Sequence, residues 1–321
     1  MPFVYPVLGS LVLLTVVVDI VWSTLSAAGG GPLSRRLGRL VWVASGRFAG
    51  AGPLVLVATA VLWIGLLWAG WTLIFLAAPE AAVAASSGEP ADFWSRVYYA
   101  GYTVITLGLG DYVPSTPLWQ QLAVLSAAAG LVFITLGVTY YTAVLSAAVQ
   151  MQQLAAMVRA LGDSPGAIVA GAWDGDGFNG MASVLTTLAS HFALHARRHL
   201  AYPVLHYFRE SDPQDAFAVQ AARLGEALYL LDHAVAAEHR PPSGPLRLAC
   251  GSLQDFLRTL HGSFVEPAEE APPTPDLAPL HAAGVPLASE VRLDAVRDER
   301  RLLLALVRDS RYRWADVSGA N

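Results

Sequence analysis

The chain of 321 residues contains no lysine, so all 20 of its basic side chains are arginines. Its one cysteine, Cys250, excludes an intrachain disulfide and leaves the redox compartment open. Charge is scarce, at 14% of residues, and scarcest in the first half. Residues 1–150 hold only Asp19, Arg35, Arg36, Arg39, Arg47, Glu80, Glu89, Asp92, Arg96 and Asp111. The net charge of −5 therefore belongs to the second half, which gives no support to nucleic-acid binding. The apolar segments carry no ladder of arginines, which argues against a voltage sensor. No nucleophile stands beside a base in a catalytic constellation, so the chain does not read as an enzyme.

In place of charge there are long apolar runs, and 55% of the chain is hydrophobic. A bilayer crossing needs about 20 such residues, and three segments are long enough. Residues 3–25 contain one charge, Asp19, and residues 53–78 contain none. The third begins at Pro117, behind the capping candidates Ser115 and Thr116, and meets no charge until Arg159. As one helix over 117–161 it rises about 1.5 Å per residue, more than twice the ~30 Å hydrocarbon core. It is expected to leave the membrane and continue into the following part. The first run lacks a basic n-region and is too long for a signal peptide. Residues 91–105 are too short to span and read as a re-entrant helix, tolerated at membrane depth when buried in protein or lining water. Arg35, Arg36, Arg39 and Arg47 place the loop after the first span in the cytoplasm, hence the N-terminus outside and residues beyond 150 inside.

Between the short helix and the third span, residues 103–114 read Thr-Val-Ile-Thr-Leu-Gly-Leu-Gly-Asp-Tyr-Val-Pro. Successive backbone carbonyls can face one axis only if dihedrals alternate between left- and right-handed regions. Gly108 and Gly110 supply left-handed positions at little steric cost. This Thr-x-Gly-x-Gly-Asp run resembles the selectivity filter of the two-transmembrane potassium channel family. The resemblance covers about residues 53–150, with one added span in front. It implies that Thr106, Leu107, Gly108, Leu109 and Gly110 coordinate a dehydrated K⁺ ion, with Asp111 at the outer mouth. It also implies that the 92–105 helix aims its carbonyl end at a central cavity, with Thr103 in its last turn. Gly130, 24 residues after Thr106, and Gly137 become gating-hinge candidates, close helix packing being the other reading of each. Leu131, Ile134, Val138 and Tyr141 share one helix side and are cavity-lining candidates. One pore loop per chain implies a homotetramer. The family's usual filter has an aromatic between the glycines where this chain has Leu109. Its cuff must then rest on apolar packing with Tyr99 and Tyr102.

Asp19 is an acid inside a span, and pairing with Arg39 or Arg47 is its expected role. Residues 32–47 read as a basic interfacial helix in which Arg35, Arg36 and Arg39 meet anionic lipid. Residues 162–180 are expected to form a loop. Its Asp174-Gly-Asp-Gly-Phe-Asn-Gly stretch lacks the ligands of a calcium loop. Helices are expected at 181–202, 215–238, 245–264 and 288–314, with a Pro/Ala-rich linker at 266–286. His191, His195 and His199 share one helix face and are zinc or pH-sensing candidates, with an interface or solvent face the favoured setting. The segment 199–209 resembles one seen in bacterial channel proteins. No nucleotide-binding fingerprint of the kind that often follows bacterial potassium pores is visible.

The fold class is thus an all-α membrane protein with three transmembrane helices, a re-entrant pore helix and filter, and a helical cytoplasmic domain. Its parts are 1–52, an N-terminal span with a basic helix; 53–150, a pore domain; and 151–321, the cytoplasmic domain. The function expected is a homotetrameric K⁺ channel of a bacterial plasma membrane, with no cofactor beyond the permeant ion. A nonselective cation channel and a non-conducting signalling receptor are the alternatives.

Overall fold

The computed structural model describes residues 3–26, 29–46, 48–261 and 264–319. It divides into two compact units, one of Met1–Val41 with Pro53–Val144, the other of Trp42–Gly52 with Leu145–Asn321.

The first unit is built on three apolar helices, α1 (Val4–Leu25), α3 (Ala51–Phe75) and α5 (Pro117–Arg159), each long and apolar enough to cross a membrane. A shorter amphipathic helix, α2 (Pro32–Ala44), follows α1. Small residues let α1 and α3 approach closely: a Cβ on Gly9 would stand 2.8 Å from the Gly70 carbonyl. After α3 a two-stranded antiparallel ribbon, β1 (Val83–Ala84) with β2 (Tyr112–Val113), brackets the helix α4 (Phe93–Val104). Asp92 caps α4, its carboxylate accepting the Ser95 amide at 2.7 Å. Arg96 on α4 donates to the last carbonyls of α3, Phe75 and Leu76, where a cation also meets the negative helix end. The core of this unit is aromatic, with Trp63, Phe75 and Tyr99 at most 2% exposed.

The second unit is helical. The last part of α5 leads into α6 (Pro165–Ala172), α7 (Met181–Ala201), α8 (Phe217–His233), α9 (Ser243–Leu260), α10 (Ala278–Ala282), α11 (Arg297–Asp309) and α12 (Trp314–Ser318). α7 packs along α9, and α8 is buried on nearly every side. Its Gly225 permits that: a Cβ there would meet Leu303 Cδ1 at 2.6 Å. Three polar residues of α8 are buried with partners. Gln220 donates to the Gln214 carbonyl at 2.7 Å, Arg223 donates to the carbonyls of Asp316 and Val317, and Glu226 pairs with Arg300 at 2.8 Å.

Three expectations need correction. The 162–180 loop contains α6, because Ser164 caps the Ala167 amide and Pro165 follows at the first helical position. The 266–286 linker contains α10, whose Leu280 is fully buried in the core. The single helix at 288–314 is a 3₁₀ turn at Leu293–Val296, then α11, then α12, with Arg311 at φ 61° ending α11.

Arg300→Leu should strand the Glu226 carboxylate in the core and destabilise the second unit by about 3–5 kcal/mol. Arg300→Leu combined with Glu226→Leu should recover most of that loss. Thermal unfolding of the purified chain checks both.

Candidate functional site

The segment after α4 carries the sequence motif. Ile105 and Leu107 donate their amides back to the Gly101 and Tyr102 carbonyls at 3.1 and 2.8 Å, which turns the chain out of the helix. From there the backbone alternates in hand. Thr106, Gly108 and Gly110 have φ of 61°, 59° and 83°, while Leu107 and Leu109 between them stay at negative φ. A β-branched threonine in the left-handed region is costly, and its surroundings must hold it there. Among the described residues no hydrogen bond ends on the carbonyls of 106–110. Within one chain the whole stretch 105–111 is exposed.

Tyrosines of α4 grip the residues that follow. The Tyr102 hydroxyl donates to the Tyr112 carbonyl at 2.5 Å and accepts the Tyr112 amide at 3.2 Å. Tyr98 donates to Asp111 at 2.9 Å, and Ser95 shares a hydrogen bond with the Tyr112 hydroxyl. Ala85, just past β1, adds its amide to the Asp111 carbonyl. This differs from the expected cuff. Leu109 is 53% exposed within one chain, so it is not packed into a cuff there. The hydrogen bonds of Tyr98 and Tyr102 go instead to residues 111–112. Thr103 spends its hydroxyl on the Tyr99 carbonyl at 2.7 Å.

The glycines of α5 differ. A Cβ on Gly130 would collide with the Val104 carbonyl at the end of α4, so this glycine is where α4 and α5 touch. A Cβ on Gly137 would meet nothing within 4 Å in the chain. Leu131, Ile134 and Val138 are exposed, but Tyr141 is half-buried and its hydroxyl reaches the Leu56 carbonyl on α3 at 3.4 Å.

Asp19 is not paired with Arg39, and Arg47 lies outside the described residues. Its carboxylate is fully buried and accepts the Leu33 amide at 2.7 Å, the Ser34 amide and hydroxyl, and the Trp63 indole N–H at 2.8 Å. Free amides and the positive end of α2 stabilise the charge without a second ion. The signal in the sequence was the glycine run before Pro32: a side chain on Gly31 would overlap this carboxylate.

The histidines also contradict expectation. His195 and His199 are each 4% exposed, on no solvent face. They lie among Phe217, Phe256 and Phe264, while His191 stands outside that cluster. Among the described residues no group of three His, Cys, Asp or Glu is placed to hold a metal ion. Asp174 closes its own loop, taking the amides of Gly177 and Asp176 and the Asn179 side chain. Those bonds, the Gly177 amide first, hold its carboxyl below the usual range.

Three helices long and apolar enough to span, a short helix and an exposed segment alternating in hand are parts that an ion channel needs. The ion channel family model matches residues 58–147, which contain α4, the alternating segment and most of α5. An uncharacterised membrane protein of Bacillus subtilis (strain 168), YdjJ, is 33% identical over 97% of this chain and 95% of its own length. The chain belongs to the family of that membrane protein and carries an ion-channel domain within it. No solved structure matches.

Gly130→Ala should force α4 and α5 apart and lower the thermal stability of the first unit, whereas Gly137→Ala should leave it unchanged. Tyr102→Phe should cost about 1–3 kcal/mol locally by stranding the Tyr112 carbonyl and amide. Hydrogen exchange of residues 105–113 reads that loss.

Proposed function

We propose that the protein is a potassium-selective channel that conducts as a homotetramer. The observation that carries this reading is the backbone of residues 106–110, alternating in hand, exposed, and without a hydrogen-bond partner for its carbonyls among the described residues. Unmatched carbonyls in a water-poor region are costly unless something else binds them. Four copies around an axis would present rings of Thr106, Leu107, Gly108, Leu109 and Gly110 oxygens to a dehydrated cation, with Asp111 at the outer mouth. The helix α4 directs its carbonyl end beside them, adding about half a negative charge per chain. One loop per chain cannot enclose an axis, which favours cyclic closure.

Leu109 favours a second reading, a less selective cation channel. Its exposed side chain offers the filter no hydroxyl, so the filter's width depends on the tyrosine grip one step further on. Gating would act through α5, with Gly137 the better placed of the two hinge candidates, since Gly130 is in contact with α4.

The proposed setting is a bacterial plasma membrane, N-terminus outside and the second unit in the cytoplasm. Arg35, Arg36 and Arg39 are exposed on α2 and suit anionic headgroups. Reporters fused to the two termini should fall on opposite sides; the same side for both would remove the three-span topology.

Gly110→Ala should abolish current, because a methyl opposes the left-handed backbone by about 1–2 kcal/mol at each of four sites. Leu109→Tyr should retain or sharpen the preference for potassium. Single-channel recording in mixed K⁺ and Na⁺, with barium as blocker, decides. Normal current through the Gly110→Ala protein would place the ion path elsewhere.

A further inference from the structure

The channel reading leaves the buried histidines without a task. The His195 ring lies 4.6 Å from Phe217 and 5.3 Å from Phe256. His199 lies 5.3 Å from Phe264, 5.5 Å from His195 and 5.8 Å from His206. His206 stacks on Phe264 at 4.4 Å and holds Asp309 of α11 at 2.8 Å through Nε2. Neither nitrogen of His199, nor Nε2 of His195, has a hydrogen-bond partner among the described residues. A phenyl ring would fill this aromatic core without stranding polar atoms, so packing alone does not account for imidazole here. His199 also borders a cavity of ≈30 Å³ shared with His206, Phe208 and Met151, room for about two water molecules.

We propose that His195 and His199, beside the His206–Asp309 pair, form a proton-operated latch: neutral, they close the core between α7 and α9, and acidification opens it. The carboxylates nearby are already engaged. Asp309 takes His206, Glu210 accepts from Gln152 of α5 at 2.5 Å, and Asp215 pairs with Arg159. The other charges facing the cluster are cationic, Arg198 on α7 and Arg209 after the 3₁₀ turn Pro203–Tyr207. α9 turns Phe256 and Leu260 inward, while its Asp255–Arg258 pair stays exposed. An imidazolium formed here would meet no free anion.

Burial pushes His195 down to about 3, helped by the Arg198 charge, and pushes His199 well below its ordinary value, helped by His195 and His206. An opened state regains the ordinary value of about 6.5 and binds the protons that the closed state refuses. The closed state is therefore undisturbed above about pH 6.5 and weakens as pH falls below it. The ratio of closed to open falls about tenfold per pH unit for each histidine, so about a hundredfold for both. Gln152–Glu210 and Arg159–Asp215 tie the end of α5 to the same region, so opening would loosen the hold on that helix. The effect on gating rests on the channel reading; the latch itself does not.

The test is hydrogen exchange by mass spectrometry on the full chain in nanodiscs, from pH 7.5 to 5.5, corrected for the intrinsic pH dependence of exchange. Protection in α7 and α9 should fall at least tenfold between pH 6.5 and 5.5, relative to α3. The double variant His195→Phe, His199→Phe should stay flat, and His191→Phe should follow the wild type. The single variant His199→Gln should show about half the logarithmic slope, which keeps a test in hand if the double variant does not fold. A flat wild-type profile, or an unchanged profile in the double variant, would overturn the latch. These readouts need no ion flow. Potassium flux from proteoliposomes at the same pH values then tests the coupling: pH-dependent flux that the double variant loses supports it, and pH-independent flux overturns it.

Discussion

A backbone carbonyl must find a donor, water or a cation, and five consecutive ones in residues 106–110 find no donor among the described residues. Much of the first unit can be understood as what holds that stretch in place. Asp92 starts α4 at a defined residue, Arg96 fastens α4 to the end of α3, and the Gly130 contact seats the end of α4 against α5. Tyr98 and Tyr102 then clamp residues 111–112, while the Ala85 amide and the short ribbon secure the same point from the other side. A segment with so few bonds of its own keeps a left-handed threonine because its two ends are fixed.

The second unit solves an opposite problem, polar groups buried in an otherwise apolar bundle. Gln220, Arg223 and Glu226 recur every third residue on α8 and each has a partner, that of Gln220 local and those of Arg223 and Glu226 drawn from distant sequence. Those partners sit on the segment before α8, on α11 and on α12, so the C-terminal elements are locked onto the central helix by directional bonds as well as by packing. His195 and His199 break this pattern: they are equally buried and lack such partners.

Asp19 shows how a charge inside an apolar helix is made tolerable. The expected solution was an arginine, and the observed one is a helix N-terminus with a serine and an indole. Fixed dipoles that are already oriented offset the desolvation of one ion, whereas an arginine would bring a second ion to desolvate. The same carboxylate thereby ties α1, α2 and α3 together.

The spans, the short helix before the motif and the positions of Gly108 and Gly110 were legible from sequence because each follows from local chemistry: apolar length, a stretch too short to span, and a backbone that only glycine adopts easily. The helices expected at 181–202 and 245–264 were legible too, and are observed at Met181–Ala201 and Ser243–Leu260. Residues 162–180, 266–286 and 288–314 were misread because their elements are short, and α6, α10 and α12 gain stability chiefly from packing on the core. The inward turn of His195 and His199, the partner of Asp19 and the tyrosine grip beyond Leu109 depend on residues between 10 and 65 positions away. Sequence alone determined which segments are apolar and where the backbone must turn left-handed. Tertiary structure decided which polar groups meet, since a hydrogen bond across helices is set by register and crossing, which no local pattern encodes.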